Sequence, residues 1–166
     1  MARFLLPAEE WIGTVNLRSG KVRRFVPRSL AAVMLRVSPS HARFALFHTH
    51  PPCRPPGTDR PSAMDVYTTL RLHYPVHCIV TEEGLFLLVK TSCPRKMRKH
   101  EFFKALAGWE NVSVTHPRQV PSLFHRFFGA SGMQCHYFPI PSHVGSVIEA
   151  VETVPIHFYG PVPAAS

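Results

Sequence analysis

"ARFALFHTHPPCRPPGTDRPSAMDVYTTL", residues 42–70, sets the architecture of this chain. Its first nine residues read as a strand whose alternation puts Phe44, Leu46, His48 and His50 on one side. Five prolines and a glycine within residues 51–61 then predict a stiff, irregular loop. Ser62 is placed to cap the helix that opens with Ala63, and Asp65 falls in that helix's first turn. The chain has two aspartates in all, so the placing of one of them three residues after a helix cap calls for an explanation.

Working outward, "EEWIGTVNLRSGKVRRFV" at residues 9–26 reads as a hairpin: Trp11 to Leu17, a Ser19-Gly20 turn, then Val22 to Val26. "SLAAVMLR" at 29–36 predicts a short helix opened by Ser29. "VHCIVTEEGLFLLVK" at 76–90 predicts a second hairpin around Glu83-Gly84. This succession points to an α/β fold, a mixed β-sheet with flanking helices. Past Ser92 the text changes: the basic stretch "PRKMRKHEFFK" leads to helices expected near 121–128 and 142–152 and strands near 134–138 and 154–159. We read residues 1–92 as a core and 93–166 as a basic C-terminal α+β extension packed on it, ending in a loose tail, "GPVPAAS".

A length of 166 residues suits one domain, and apolar residues at 45% in short runs favour a folded chain over a disordered one. Those runs are too short to span a bilayer, and "MARFLLPAEE" lacks the apolar stretch of a secretory leader. An intracellular protein, cytoplasmic or nuclear, is therefore expected. Cys53, Cys78, Cys93 and Cys135 form no CxxC pair, which predicts free thiols and argues against a four-cysteine zinc site. A net charge of +9 and a pI near 10.0 favour nucleic acid, acidic proteins or anionic lipid as neighbours without choosing among them.

A strand ending in His-x-His presents both rings on one face, and an aspartate at the start of the next helix can add a third ligand. A catalytic zinc takes three protein ligands of this kind and leaves its fourth position to water. Asp65 is the candidate third ligand, with the prolines limiting the freedom of the loop between. The pair of histidines alone is a weak signal, because histidine serves many other roles.

The wider pattern is more specific. His48-x-His50-Pro51, then Ser62-x-x-Asp65, with Glu10-x-x-Gly13 upstream, resembles the JAMM (MPN+ or JAB) family of zinc metalloproteases over roughly residues 9–90. The resemblance implies an MPN/JAB-like core with a cytidine-deaminase-like layering. It also implies Zn2+ held by His48, His50 and Asp65, Glu10 as proton acceptor, and Ser62 donating to the tetrahedral intermediate. The implied activity is isopeptide or peptide cleavage at the C-terminal tail of ubiquitin or a ubiquitin-like protein. The compact Glu10–His48 interval leaves little room for an insertion that grips a partner, which favours a generalist or non-ubiquitin substrate.

Glu9 competes with Glu10, but neighbouring strand residues face opposite ways and the Glu-x-x-Gly spacing selects Glu10. Ser62 reads equally well as a plain helix cap, and the two duties are compatible. His77-Cys78 and Cys135-His136 look like ligand pairs, although adjacent strand residues diverge and buried cysteine packs as a small hydrophobe. Cys53 reads as an inert loop thiol. Arg95, Lys96, Arg98, Lys99 and Lys104, followed by Phe102 and Phe103, read first as a solvated helix face with its phenylalanines in the core, and second as a nucleic-acid surface. Two rival classes stand beside the enzyme: an MPN-fold scaffold or nucleic-acid-associated structural protein with a vestigial or unused zinc site, and a DNA-associated relative of bacterial JAB proteins.

Overall fold

The computed structural model describes residues 10–27, 44–51, 59–72, 74–91 and 97–139, with 22–27 described by their backbone. The expected elements at 29–36, 142–152 and 154–159, together with Glu9, Cys53, Cys93, Arg95 and Lys96, lie outside these residues. Strands β1 (Trp11–Asn16), β2 (Val22–Pro27), β3 (Phe44–Thr49), β4 (Val76–Val80), β5 (Gly84–Lys90) and β6 (Met133–Pro139) form one sheet in the order β2-β1-β3-β4-β5-β6. Helices α1 (Ala63–Arg71), α2 (Lys99–Glu110) and α3 (Val120–Phe128) complete an α/β architecture with a mixed sheet.

All strand pairs are antiparallel except β3 with β4. That exception follows from α1, because two parallel neighbours need a crossover long enough to carry the chain back to the same end of the sheet. The β1–β2 hairpin turns as the sequence predicts: Gly20 takes a φ of 66° that only glycine adopts without strain. Gly84 has a different reason to be glycine. A Cβ there would lie 2.4 Å from the Phe138 carbonyl oxygen on β6, so β5 and β6 could not approach as they do.

β4 and β5 are near-continuous apolar runs because both of their faces are buried. On one face Ile79, Phe86, Leu88 and Cys135 pack against Val66 of α1 and against Phe102, Leu106, Trp109, Phe124 and Phe128 of α2 and α3. On the other, Ala45, Val76, Cys78, Leu85, Leu87 and Val89 meet Val15, Leu17, Phe47, Val80 and Phe138. Residues 97–139 thus supply the sheet's sixth strand and much of one core face.

One expectation for the basic stretch is corrected. Phe102 enters the core, but Phe103 is 46% exposed and lies beside Tyr67. Consecutive helix positions are about 100° apart, so a single buried stripe cannot hold both rings.

Candidate metal centre

Three elements bring the site together at one end of the central strands. β3 carries His48, and His50 follows it with its N–H donating to the Val80 carbonyl at 2.8 Å, which continues the β3–β4 ladder by one residue. Both rings therefore face the same side, with centroids 5.0 Å apart. β1 runs antiparallel to β3 with Ile12 opposite His48, and continuing that register brings Glu10 level with His50. The Trp11 N–H donates to Thr49 Oγ1 at 3.1 Å and pins this end of β1.

Asp65 arrives from the helix side. Ser62 Oγ accepts from the Asp65 N–H at 3.1 Å, while Asp65 Oδ2 accepts from the Ser62 N–H at 2.6 Å, a reciprocal capping box. The segment that leads into the cap is anchored by α2. The Trp109 indole N–H donates to the Pro61 carbonyl at 2.8 Å, and Arg60 Nη2 donates to the carbonyls of Trp109 and Glu110 at 2.9 and 3.0 Å. The Ala63 N–H also reaches Glu110 Oε1 at 3.3 Å. Loop ends carry unpaired backbone groups, and here the neighbouring helix satisfies them.

The result is a cluster in which one donor atom each from Glu10, His48, His50 and Asp65 lies within 4.8 Å of the others. Among the described residues no other group of three or more histidines, cysteines or carboxylates converges in this way. His48 Nε2 lies 3.2 Å from Asp65 Oδ1 and 3.6 Å from Glu10 Oε1, and His50 Nε2 lies 3.2 Å from Asp65 Oδ2. The side chains of His48 and His50 are 4% exposed and that of Asp65 10%, whereas Glu10 is 21% exposed and sits at the mouth.

Two observations fit a bound cation. His48 Nε2 is buried yet makes no aligned hydrogen bond, and such an orphaned atom costs about 1–3 kcal/mol unless something takes its lone pair. Ligand atoms about 2.0–2.1 Å from a tetrahedral ion stand roughly 3.3–3.4 Å apart, close to the spacings between Asp65 and the two histidines. Two neutral imidazoles with a carboxylate form a donor set suited to a borderline divalent metal.

The electrostatics follow from burial and neighbours. Burial works against a charged His50, but hydrogen bonds to Asp59 and Asp65 and the charges of both outweigh it, raising the ring to about 9. Burial also works against an ionised Asp65, yet His48 and His50 hold its carboxyl well below the usual range. A proton on His50 therefore occupies the place a cation would take. His77, fully enclosed, is pushed down by burial to about 3 and is neutral.

Asp59 and Thr69 escaped the sequence reading, and His77, weighed there only as half of a His-Cys ligand pair, has a different place. Asp59, the other aspartate of the chain, sits with Oδ1 2.9 Å from His50 Nδ1. His77 Nε2 lies 2.8 Å from His48 Nδ1, and Thr69 Oγ1 lies 2.6 Å from His77 Nδ1. Carboxylate and carbonyl partners on the far nitrogen of a ligand histidine are the usual means of orienting it. A signal for Asp59 was available in the rarity of aspartate here. A histidine inside the apolar run "VHCIV" was a signal for His77, and Thr69 stands one helical turn after Asp65.

Of the residues singled out from the sequence, Glu10, His48, His50 and Asp65 are brought together, and Ser62 stands beside them as the cap of α1. His77 and Cys78 point to opposite faces, and Cys78 packs in the far core with its thiol raised by burial to about 12. Cys135 is likewise buried and its thiol raised by burial. Arg98, Lys99 and Lys104 are exposed along α2. No helix among the described residues is long and apolar enough to cross a membrane. Comparison of the chain with protein-family models, with curated proteins and with solved structures gives no match.

Proposed function

We propose that the protein is a zinc-dependent hydrolase of the JAMM type that cleaves an isopeptide or peptide bond at the tail of ubiquitin or a ubiquitin-like protein. The observation that carries this reading is the convergence of His48, His50 and Asp65, all buried, with Glu10 at the open side. His48, His50 and Asp65 would hold the metal. Zinc bound there supplies Lewis acidity and lowers the pKa of a water toward ~7. Glu10, within 3.6 Å of His48 Nε2 and partly open to solvent, accepts a proton in the cleft and passes it to the leaving amine. Ser62 Oγ uses a lone pair for its cap, so its own O–H remains to donate to a developing oxyanion.

β1 and β3 each have a strand on both sides, so an extended tail cannot add to either of them. It would instead lie across the strand ends where Glu10 and His50 emerge. Small residues at the scissile bond suit that approach, since only they let the carbonyl come close.

The test is incubation of zinc-loaded protein with a panel of di-ubiquitins and ubiquitin-like fusions, with chelated protein and Glu10→Gln as blanks. Glu10→Gln should keep its zinc and lose at least about a hundredfold in turnover. Zinc-replete wild-type protein that cleaves nothing on a broad panel would refute the hydrolase reading. A second reading, a basic scaffold with an unused site, is favoured by the +9 charge and by the exposed Arg98, Lys99 and Lys104. Its mark would be tight, salt-sensitive binding to nucleic acid that neutralising these residues weakens.

A further inference from the structure

We infer that the outer surface where α1 meets α2 is a docking site for an acidic amphipathic helix of a partner protein. The inference goes beyond the hydrolase reading and stands on residues outside the metal cluster.

Among the described residues three large apolar side chains are exposed: Met64 at 56%, Leu70 at 41% and Phe103 at 46%. Single hydrophobes scattered over a surface are ordinary. These three are not scattered. Met64, Tyr67 and Leu70 stand three residues apart along α1 and so follow one another up its surface. Phe103 of α2 lies beside the middle one, its ring centroid 6.2 Å from that of Tyr67. Four side chains thus form one apolar patch across two helices, with Tyr67 half-buried at its centre. Met64 directly precedes Asp65, yet Asp65 turns into the metal cluster while Met64 faces solvent.

The charges around the patch are ordered. The Ala63 N–H meets Glu110 and Tyr67 meets Phe103, so the two helices run antiparallel. Continued in that direction, Arg71 in the last turn of α1 and Lys99 in the first turn of α2 come to the same end of the patch. Arg71 is already fixed there, because its Nη1 donates to the Tyr67 hydroxyl at 3.1 Å and its guanidinium stands 5.6 Å from that ring's centroid. No carboxylate among the described residues pairs with Arg71 or Lys99. The acids of α2 are engaged elsewhere: Glu101 accepts from the Arg98 N–H at 3.0 Å and Glu110 from the Ala63 N–H at 3.3 Å. An apolar patch with two cations at one end, neither held by an anion, complements a helix with apolar side chains at helical spacing and carboxylates toward one end.

A nucleic acid fits this surface less well. Bases stack on open aromatic faces. Met64 and Leu70 offer none, and the Tyr67 ring is half-buried beneath Arg71, which leaves Phe103 as the one open ring of the patch.

Peptide selection on the full chain tests the assignment. A display library of random peptides about 16 residues long, roughly four helical turns, is panned on wild-type protein and depleted on Phe103→Ser. Enriched peptides, synthesised and titrated singly, should carry apolar residues at helical spacing and an excess of Asp and Glu. Their affinity should fall at least about tenfold in Phe103→Ser and in Leu70→Ser. In the double variant Arg71→Gln/Lys99→Gln it should fall about three- to tenfold and lose most of its salt dependence. In wild-type protein labelled with 13C-methyl methionine, the peptides should shift the Met64 methyl and leave that of the buried Met133 in place, which locates binding without a variant.

The inference is overturned if no peptide separates wild type from Phe103→Ser, if the Met64 methyl is unmoved by the peptides that bind, or if those peptides carry no acidic excess. Two other occupants would also overturn it. A wild-type dimer in sedimentation that Phe103→Ser dissociates would assign the patch to a second copy of this chain. Binding of an oligothymidylate that Phe103→Ser abolishes would assign it to nucleic acid.

Discussion

The corner of the sheet around His48 and the corner around Trp109 share one face and are held by opposite physics. Around Trp109, three phenylalanine rings, Phe124, Phe127 and Phe128, meet the indole with centroids 5.7 Å away in edge-on arrangements. Such packing is non-directional in its main term, and a one-methylene error is absorbed with a graded cost. Around His48 the side chains meet through polar atoms of His77, Asp65 and Glu10 that need particular partners, and a missing partner leaves a buried group unsatisfied. The comparison teaches that the apolar corner supplies the rigidity the polar corner needs. Trp109 itself shows this: its ring lies in the core while its N–H fixes Pro61, two residues before the start of the helix that delivers Asp65.

The sharpest way to break the comparison is to remove a ligand. His48→Ala or Asp65→Ala should abolish stoichiometric zinc, measured by metal analysis after dialysis. On the proposed zinc reading wild type should gain about 4 kcal/mol of stability at ~1,000 times its zinc Kd, and each variant should lose that gain. Retention of one zinc in Asp65→Ala would show that Asp65 is not a ligand.

At the other corner, Trp109→Ala should cost about 3–5 kcal/mol in chemical denaturation, the range for a large buried aromatic. Trp109→Phe keeps much of the ring and deletes the bond to Pro61. It should therefore lose less stability and still weaken zinc binding, which would separate the two duties of one side chain. Zinc affinity unchanged in Trp109→Phe would mean that the anchoring of Pro61 does not matter to the site.

A third prediction concerns protons. A metal bound as proposed must displace the proton from His50, whose ring is raised to about 9 by Asp59 and Asp65 despite its burial. Below that pH the metal-free ring is charged and competes, so zinc affinity should rise about tenfold per pH unit and level off near pH 9. Calorimetry in buffers of different ionisation enthalpy should show a proton released on binding at pH 7. No release would mean that His50 stays outside the coordination shell.

The smallest expected effect sharpens the apolar side. Phe103→Ser, at a half-exposed position, should change stability by no more than about 0.5 kcal/mol, while Phe102→Ala should cost about 3 kcal/mol or more. Equal costs would show that both rings belong to the core.

Much of this protein was determined by local sequence. The hairpins at 11–27 and 76–90, the strand entering His48, the capped helix at Ser62 and the strand at 133–139 follow from alternation, turn residues and a cap, which act over a few neighbours. His48, His50 and Asp65 could be named because a strand, a stiff loop and a helix cap fix their positions within a short span of chain. What tertiary structure decided is everything that depends on register between distant segments. β3 beside β4 puts His77 diagonal to His48, although 29 residues separate them. The packing of α2 places Trp109 on Pro61 across 48 residues, and β6 joins the sheet next to β5. Folding of the loop end onto His50 turns Asp59 from a turn residue into an orienting carboxylate. Patterns of period 2 or 3.6 specify which face a residue takes, but they carry no record of which strand or helix will lie against that face. The choice of partner is made by burial of the whole apolar surface at once.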